Sequence, residues 1–210
     1  MHTTLFLIRC GETEWGRARR LQGRRDLGLS SEGRAQAQSA SDLLAGVDLT
    51  EILSSPLLRA VETAEIIAAP HRLNVAHDPR LTELRVGRWE GKSYADLAVD
   101  PDYRAFLRDP VGHPIPDGEP LTDLKTRAAS SVDQALEDNQ IGAHVAMVTH
   151  ASVVRVLLAH FLGMTLASYH QLHVGAGAIT VLRFDSDRAP PRVLAVNQGE
   201  TLAGLLAGKK

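Results

Sequence analysis

The stretch Leu5-Phe6-Leu7-Ile8-Arg9-Cys10-Gly11-Glu12-Thr13 runs from four apolar residues straight into an arginine, a thiol and a glycine. Such an unbroken apolar run fits a central strand covered on both faces, where polar and apolar positions need not alternate. Ligands of open α/β sheets sit beside the carboxyl ends of these strands. The run therefore predicts a buried strand that delivers Arg9 and Cys10 to a site. Gly11 is expected to let the backbone turn sharply and approach a ligand closely. Taken alone, one buried cysteine is more often a small hydrophobe than a nucleophile.

A second stretch repeats the arrangement. Val145-Ala146-Met147-Val148-Thr149-His150 is another apolar strand with a reactive side chain at its end, followed by a small residue and a helical pattern from about Ser152 to Phe161. Two parallel strands with matched ends predict that Cys10 and His150 share one crevice. Between them, Ser30 caps a helix running to Leu44, and Glu51 to Ser55 reads as a short strand. Pro56 is expected in the first turn of the next helix, whose apolar side carries Leu57, Val61, Ala64 and Ile67. Leu73 to Ala76 reads as a third short strand, and Ala178 to Phe184 and Arg192 to Val196 as later ones. The pattern gives an α/β protein: a three-layer α/β/α sandwich around a mostly parallel sheet.

Arg59 falls in the first turn of its helix, where the helix dipole disfavours a cation. A bound anion removes that conflict, and free N–H groups at a helix start also suit phosphate. The alternative is an arginine paired with Glu62 or Glu65. Leu81-Thr82-Glu83-Leu84 sets a carboxylate among leucines, an environment that tends to favour a proton donor. The same residue could equally be an ordinary half-exposed glutamate. Arg17, Arg19, Arg20, Arg24 and Arg25 crowd one segment, either as a solvated loop or as a rim that draws in a small anion. Two short helical patterns, around Tyr94 to Ala98 and Tyr103 to Leu107, precede a stiff loop with Pro110, Pro114, Pro116 and Pro120. This insertion is expected to cover the site. Helical periodicity returns over Thr122 to Leu136. His170 and His173 alone make an incomplete metal site.

Composition narrows the function classes. The 210 residues suit one domain with a sizeable core, 44% of them apolar and only 4% aromatic. A formal charge of -2 gives no general attraction to nucleic acid or an acidic membrane. A single cysteine excludes an internal disulfide, and no segment reaches the roughly 20 apolar residues of a membrane span. The opening residues lack the pattern of an export signal, so a soluble, unexported, cytoplasmic protein is expected. No glycine-rich nucleotide loop, repeat or low-complexity tract is present.

The motifs form one ordered series: Arg9 to Thr13, Gln22-Gly23, Leu29 to Gly33, Ser54-Ser55-Pro56 through Arg59 to Ala64, Leu81 to Glu83 with Gly87 to Gly91, Gly118-Glu119, and Val148-Thr149-His150. The series resembles the histidine phosphatase superfamily, which includes cofactor-independent phosphatases and phosphoglycerate mutases, and the match runs from about Leu5 to Phe184. The resemblance implies a phosphoglycerate-mutase-like single domain over 1–210 with a short cap at about 84–120. It also implies a metal-independent phosphomonoesterase with no cofactor, acting on a small phosphorylated metabolite and releasing inorganic phosphate. Arg9, Arg59, His150 and the Ala151 backbone would bind the phosphoryl group. Glu83 would protonate the leaving oxygen, and Arg20, Gln22 and Gly23 would line the substrate rim.

Three positions depart from the family pattern. Cys10 stands where the family has its nucleophilic histidine, Gly16 where an asparagine is frequent, and Ala151 where a glycine is usual. Counting bonds, the Cys10 sulfur falls roughly 1–2 Å short of the far nitrogen of an imidazole. A misplacement of about 1 Å can cost around 10²-fold in rate. Nor is this a cysteine-phosphatase loop, in which five residues separate Cys from Arg, since six lie between Cys10 and Arg17. Three accounts remain open. The cysteine was introduced to disable a phosphatase, or it is native to a slow enzyme, or the chain is a non-catalytic phosphoester-binding module. A phosphoglycerate mutase is the further alternative, disfavoured by the short cap.

Overall fold

The computed structural model describes residues 2–185 and 190–199. Its strands are β1 (His2–Arg9), β2 (Glu51–Ser54), β3 (Val75–His77), β4 (His144–Thr149), β5 (Ile179–Asp185) and β6 (Arg192–Gln198). Its helices are α1 (Glu14–Arg17), α2 (Ser31–Leu44), α3 (Leu58–His71), α4 (Tyr94–Val99), α5 (Pro101–Arg108), α6 (Leu121–Asp138) and α7 (Ala151–Phe161). The sheet order is β3-β2-β4-β1-β5-β6. β3, β2, β4 and β1 are parallel, and β5 then runs antiparallel to both β1 and β6.

The continuous apolar runs are explained by the two cores. On one face Leu5 and Leu7 of β1, with Val145 and Met147 of β4, pack with Leu124, Ala128 and Val132 of α6 and Val153, Val154 and Leu157 of α7. On the other face Phe6, Ile8, Ala146 and Val148 pack with Ala40 and Leu44 of α2 and Ala60, Ala64 and Ile67 of α3. Because successive side chains point to opposite faces, a strand buried on both must be apolar at every step. The mixed α/β layering expected from the sequence is present.

Several local expectations change. α3 starts at Leu58, two residues beyond Pro56, with the Leu57 N–H bonded to Ser55 Oγ at 3.3 Å in the turn before it. Its buried stripe is Arg59, Ala60, Thr63, Ala64, Ile67 and Ala68, while Leu57 and Val61 are half-buried. Small residues let α3 lie close on α2, and the bulky pair is pushed to the flank. The third strand begins at Val75, later than expected.

Gly11 also serves another purpose than the one expected. A Cβ on Gly11 would collide with the Gly33 backbone, and a Cβ on Gly33 with the Glu12 backbone. The segment after β1 thus lies directly against the start of α2, whose capping Ser30 bonds Gly33 N–H at 3.0 Å and Glu12 C=O at 3.1 Å. The glycine is required by a neighbouring helix.

Residues 84–120 are part of the main core, with Val86, Trp89, Leu97, Phe106 and Ile115 in the same cluster as α6 and α7. Backbone bonds from Leu21 N–H to Lys92 C=O, Gly91 N–H to Leu21 C=O and Tyr94 N–H to Arg19 C=O tie this segment to the arginine-rich stretch. We expect Gly33→Ala to cost about 2 kcal/mol or more by overpacking against the Glu12 backbone, read as a lowered urea midpoint. An unchanged midpoint would mean that the two segments separate freely.

Candidate active site

β1 and β4 pair with Arg9 opposite Thr149, and the ladder continues one residue further through Cys10 N–H to Thr149 C=O at 2.8 Å. This register sets Cys10 Sγ 3.5 Å from His150 Nδ1. The other imidazole nitrogen, Nε2, lies 2.7 Å from Ser55 Oγ, just past the end of β2. Three adjacent strand ends therefore carry a chain of side chains, Ser55 to His150 to Cys10. All three are buried, at 0%, 1% and 5% exposure.

Two guanidiniums complete the cluster. Arg59, 3% exposed, donates to the carbonyls of Gly23 at 2.8 Å and Arg25 at 2.9 Å, and not to Glu62 or Glu65. Glu62 instead accepts from Leu29 N–H and Arg34. Arg9 donates to Val174 C=O. Neither arginine meets a carboxylate within ion-pair distance among the described residues.

The electrostatics follow from this crowding. Burial pushes the Cys10 thiol above its ordinary value of 9.0, outweighing the opposite pull of Arg59 and Arg9. Burial, together with Arg59, Arg9 and Arg127, holds His150 well below its ordinary 6.5. At neutral pH the pair is thus a thiol beside a neutral imidazole. A proton on Nε2 suits Ser55 Oγ as acceptor and leaves Nδ1 to accept from the thiol.

Residues 5–198 match the family described as histidine phosphatase superfamily, branch 1. The chain belongs to the histidine phosphatase superfamily. It is 34% identical over 189 residues to a probable phosphoglycerate mutase of Proteus mirabilis, covering 89% of this chain and 86% of the relative. Among solved structures it is similar to a phosphoserine phosphatase mutant from Entamoeba histolytica in complex with phosphoserine, with TM-score 0.85, 29% identity, and coverage of 95% and 99% of the two chains. It is also similar to a mycobacterial glucosyl-3-phosphoglycerate phosphatase in complex with VO3, with TM-score 0.84, 29% identity, and coverage of 92% and 98%.

The remaining sequence-chosen residues play different structural parts. Glu83 is half-buried between the buried Leu81 and Leu84 and accepts from Leu84 N–H at 2.7 Å. Ala151 opens α7, directly after His150 as N-cap. Gly23 is buried at φ 55° and contributes its carbonyl to Arg59. Gln22 is half-buried, with Oε1 enclosed and unpartnered. Arg20 donates to Gly91 C=O and so ties the segment to residues 91–93. The arginine-rich stretch is only partly free, since Arg17 faces Glu14 at 4.0 Å and Arg24 pairs with Glu119 at 3.0 Å. No group of three His, Cys, Asp or Glu among the described residues is placed to hold a metal, and His170 and His173 flank the end of a 3-10 turn.

Sequence reasoning missed a clamp behind Glu83. Glu119 accepts two bonds from Arg127, at 2.7 and 2.9 Å, and one from Arg24 at 3.0 Å. The same two arginines donate to the Glu83 carbonyl at 3.2 and 2.9 Å. Burial would raise the Glu119 carboxyl, but the Arg127 bonds and the charges of Arg127 and Arg24 hold it below its ordinary 4.5. Gly118-Glu119 stands among the sequence motifs, yet nothing local in the sequence links it to Arg127. Ser55 could have been found, because it too stands at a strand end.

Arg59→Ala is expected to weaken vanadate binding about 100-fold or more, since a buried bidentate donor is lost. Titration calorimetry in EDTA checks this, and unchanged affinity would place the anion elsewhere.

Proposed function

We propose that this chain is a metal-independent phosphomonoesterase acting on a small phosphorylated metabolite, slowed in its present form by Cys10. The observation that carries the reading is the convergence of Arg9, Arg59 and His150 around residue 10, with both guanidiniums anchored by carbonyls and unneutralised. Two such cations and an imidazole stabilise the charge that develops on a transferred phosphoryl group. The family match and the phosphatases among the similar structures support hydrolysis. A relative similar in sequence carries the name probable phosphoglycerate mutase. The chain is read as one domain in which residues 84–120 close over the site.

The residues take the following parts. Arg9, Arg59, His150 and the Ala151 N–H hold the phosphoryl oxygens. Residue 10 attacks phosphorus while Glu83 passes a proton to the leaving oxygen, so the product alcohol departs neutral. Glu83 then takes a proton from water, which cleaves the bond to residue 10 and releases inorganic phosphate. Arg20, Gln22 and Gly23 belong to the rim, Gly23 through its hold on Arg59.

With cysteine at position 10 the first step is hindered. Moving the thiol proton to His150 runs from a group that burial holds above its ordinary value to one held well below its own, which is unfavourable. This same observation favours a second reading, a phosphoester-binding module that retains the cation cluster without efficient turnover.

Phosphate release from a panel of phosphomonoesters in EDTA separates the readings. Cys10→His is expected to be at least about 100-fold faster than the parent. A silent histidine variant that still binds vanadate would leave the binding module. Isomerisation of 3-phosphoglycerate without phosphate release would establish a mutase.

A further inference from the structure

Glu83 has no regular element to hold it. Residues 82–86 lie in neither helix nor strand, so their backbone groups need partners from elsewhere. Arg127 Nη1 donates to Arg80 C=O at 2.6 Å, Thr149 Oγ1 to Leu81 C=O at 2.6 Å, and Arg24 Nε and Arg127 Nη2 to Glu83 C=O at 2.9 and 3.2 Å. Arg85 C=O accepts from Glu119 N–H at 2.8 Å, while Arg85 N–H donates to the Glu119 carboxylate at 3.3 Å. Among the described residues, the hydrogen bond to the Glu83 carboxylate comes from the adjacent Leu84 N–H at 2.7 Å. The side chain is therefore placed through its backbone.

One buried carboxylate ties these grips together. Glu119, 9% exposed, accepts from Arg127 at 2.7 and 2.9 Å, from Arg24 at 3.0 Å and from Arg85 N–H at 3.3 Å. A carboxylate offers about four acceptor positions, so its capacity is filled. Both guanidiniums that reach the Glu83 carbonyl are thus oriented by Glu119. Arg24 carries a further link, because it lies between Gly23 and Arg25, whose carbonyls hold Arg59. Three consecutive residues grip the phosphoryl-binding arginine by their backbone and the backbone of Glu83 by a side chain. Thr149 adds another tie from the end of β4, directly before His150.

We infer that Glu119 is a positioning residue for proton transfer: through Arg24 and Arg127 it holds Glu83 at the leaving oxygen, and so sets how well esters of strongly basic alcohols react. The inference rests on the phosphomonoesterase reading, with Glu83 as its acid. In the transfer step the bond from residue 10 to phosphorus forms as the bond from phosphorus to the ester oxygen breaks. That oxygen keeps the electron pair and takes the proton of the Glu83 carboxyl. General acid catalysis of this kind contributes about 10²- to 10⁴-fold, and a misplacement of about 1 Å can cost around 10²-fold. An alkoxide cannot leave without that proton, whereas a nitrophenolate can. Lost alignment of Glu83 is therefore felt by alkyl esters and spared by nitrophenyl esters.

The test compares kcat/KM for glycerol phosphate and p-nitrophenyl phosphate in the Cys10→His background. This ratio reports steps up to departure of the leaving group, so the later attack of water does not enter. Glu119→Gln is expected to lower it about 10- to 100-fold on glycerol phosphate and less than about threefold on p-nitrophenyl phosphate. Arg24→Met should show the same selectivity. Its side chain is 38% exposed and the carbonyls that hold Arg59 are untouched, so this arm stands even if the Gln variant does not fold. Vanadate affinity should stay within about threefold in both variants. Equal losses on the two esters in a folded variant, or no loss on either, would overturn the inference while the activity of Cys10→His keeps the phosphomonoesterase reading intact. A Cys10→His protein that releases phosphate from neither ester would remove that reading, and the inference with it.

Discussion

The parallel pairing of β1 with β4 is the constraint on which the site depends. Its register sets Arg9 opposite Thr149, and one further hydrogen bond carries the ladder to Cys10. Residue 10 and His150 then leave neighbouring strands at the same level, and β2 adds Ser55 alongside through Ser55 N–H to Val148 C=O at 2.9 Å. Slipping either strand by one residue would turn Leu5, Leu7, Val145 and Met147 to the wrong core. Burial on both faces thus locks the chemistry in register, and the apolar sequence that stabilises the fold also aligns the reactive groups.

A second constraint concerns charge. Arg9 and Arg59 are held by backbone carbonyls from Val174, Gly23 and Arg25, and not by carboxylates. A carbonyl fixes a guanidinium in position but cancels little of its charge. Carboxylate pairing is reserved for the arginines behind the site, Arg24 and Arg127, whose bonds to Glu119 set the backbone of Glu83. His150 and Cys10 respond alike to the cations and oppositely to burial: the cations depress both, while burial depresses the imidazole and raises the thiol.

Much of this was legible in the residues. The two apolar runs ending in Arg9-Cys10 and Thr149-His150 carry the sheet, its parallel core and the pairing of the two ends, because nothing but a doubly buried strand explains them. What escaped the sequence lies in contacts between distant segments. Gly11 looked like a ligand-facing glycine, but its need arises from Gly33, a residue that becomes its neighbour only when α2 packs down. Arg59 lies in the first turn of α3, as its sequence position implies, while its carbonyl partners sit in an irregular stretch with no periodic pattern. The start of α3 was misplaced because Ser55 caps the turn that Pro56 was expected to fill.

The most direct measurement is the crystal structure of the parent protein grown with orthovanadate and EDTA. Vanadate is expected between Arg9, Arg59 and His150, with Cys10 Sγ facing vanadium on one side and Glu83 reaching an oxygen on the other. Vanadate bound away from these residues, or excluded from the crystal at millimolar concentration, would contradict the assignment of this crevice as a phosphoryl-transfer site.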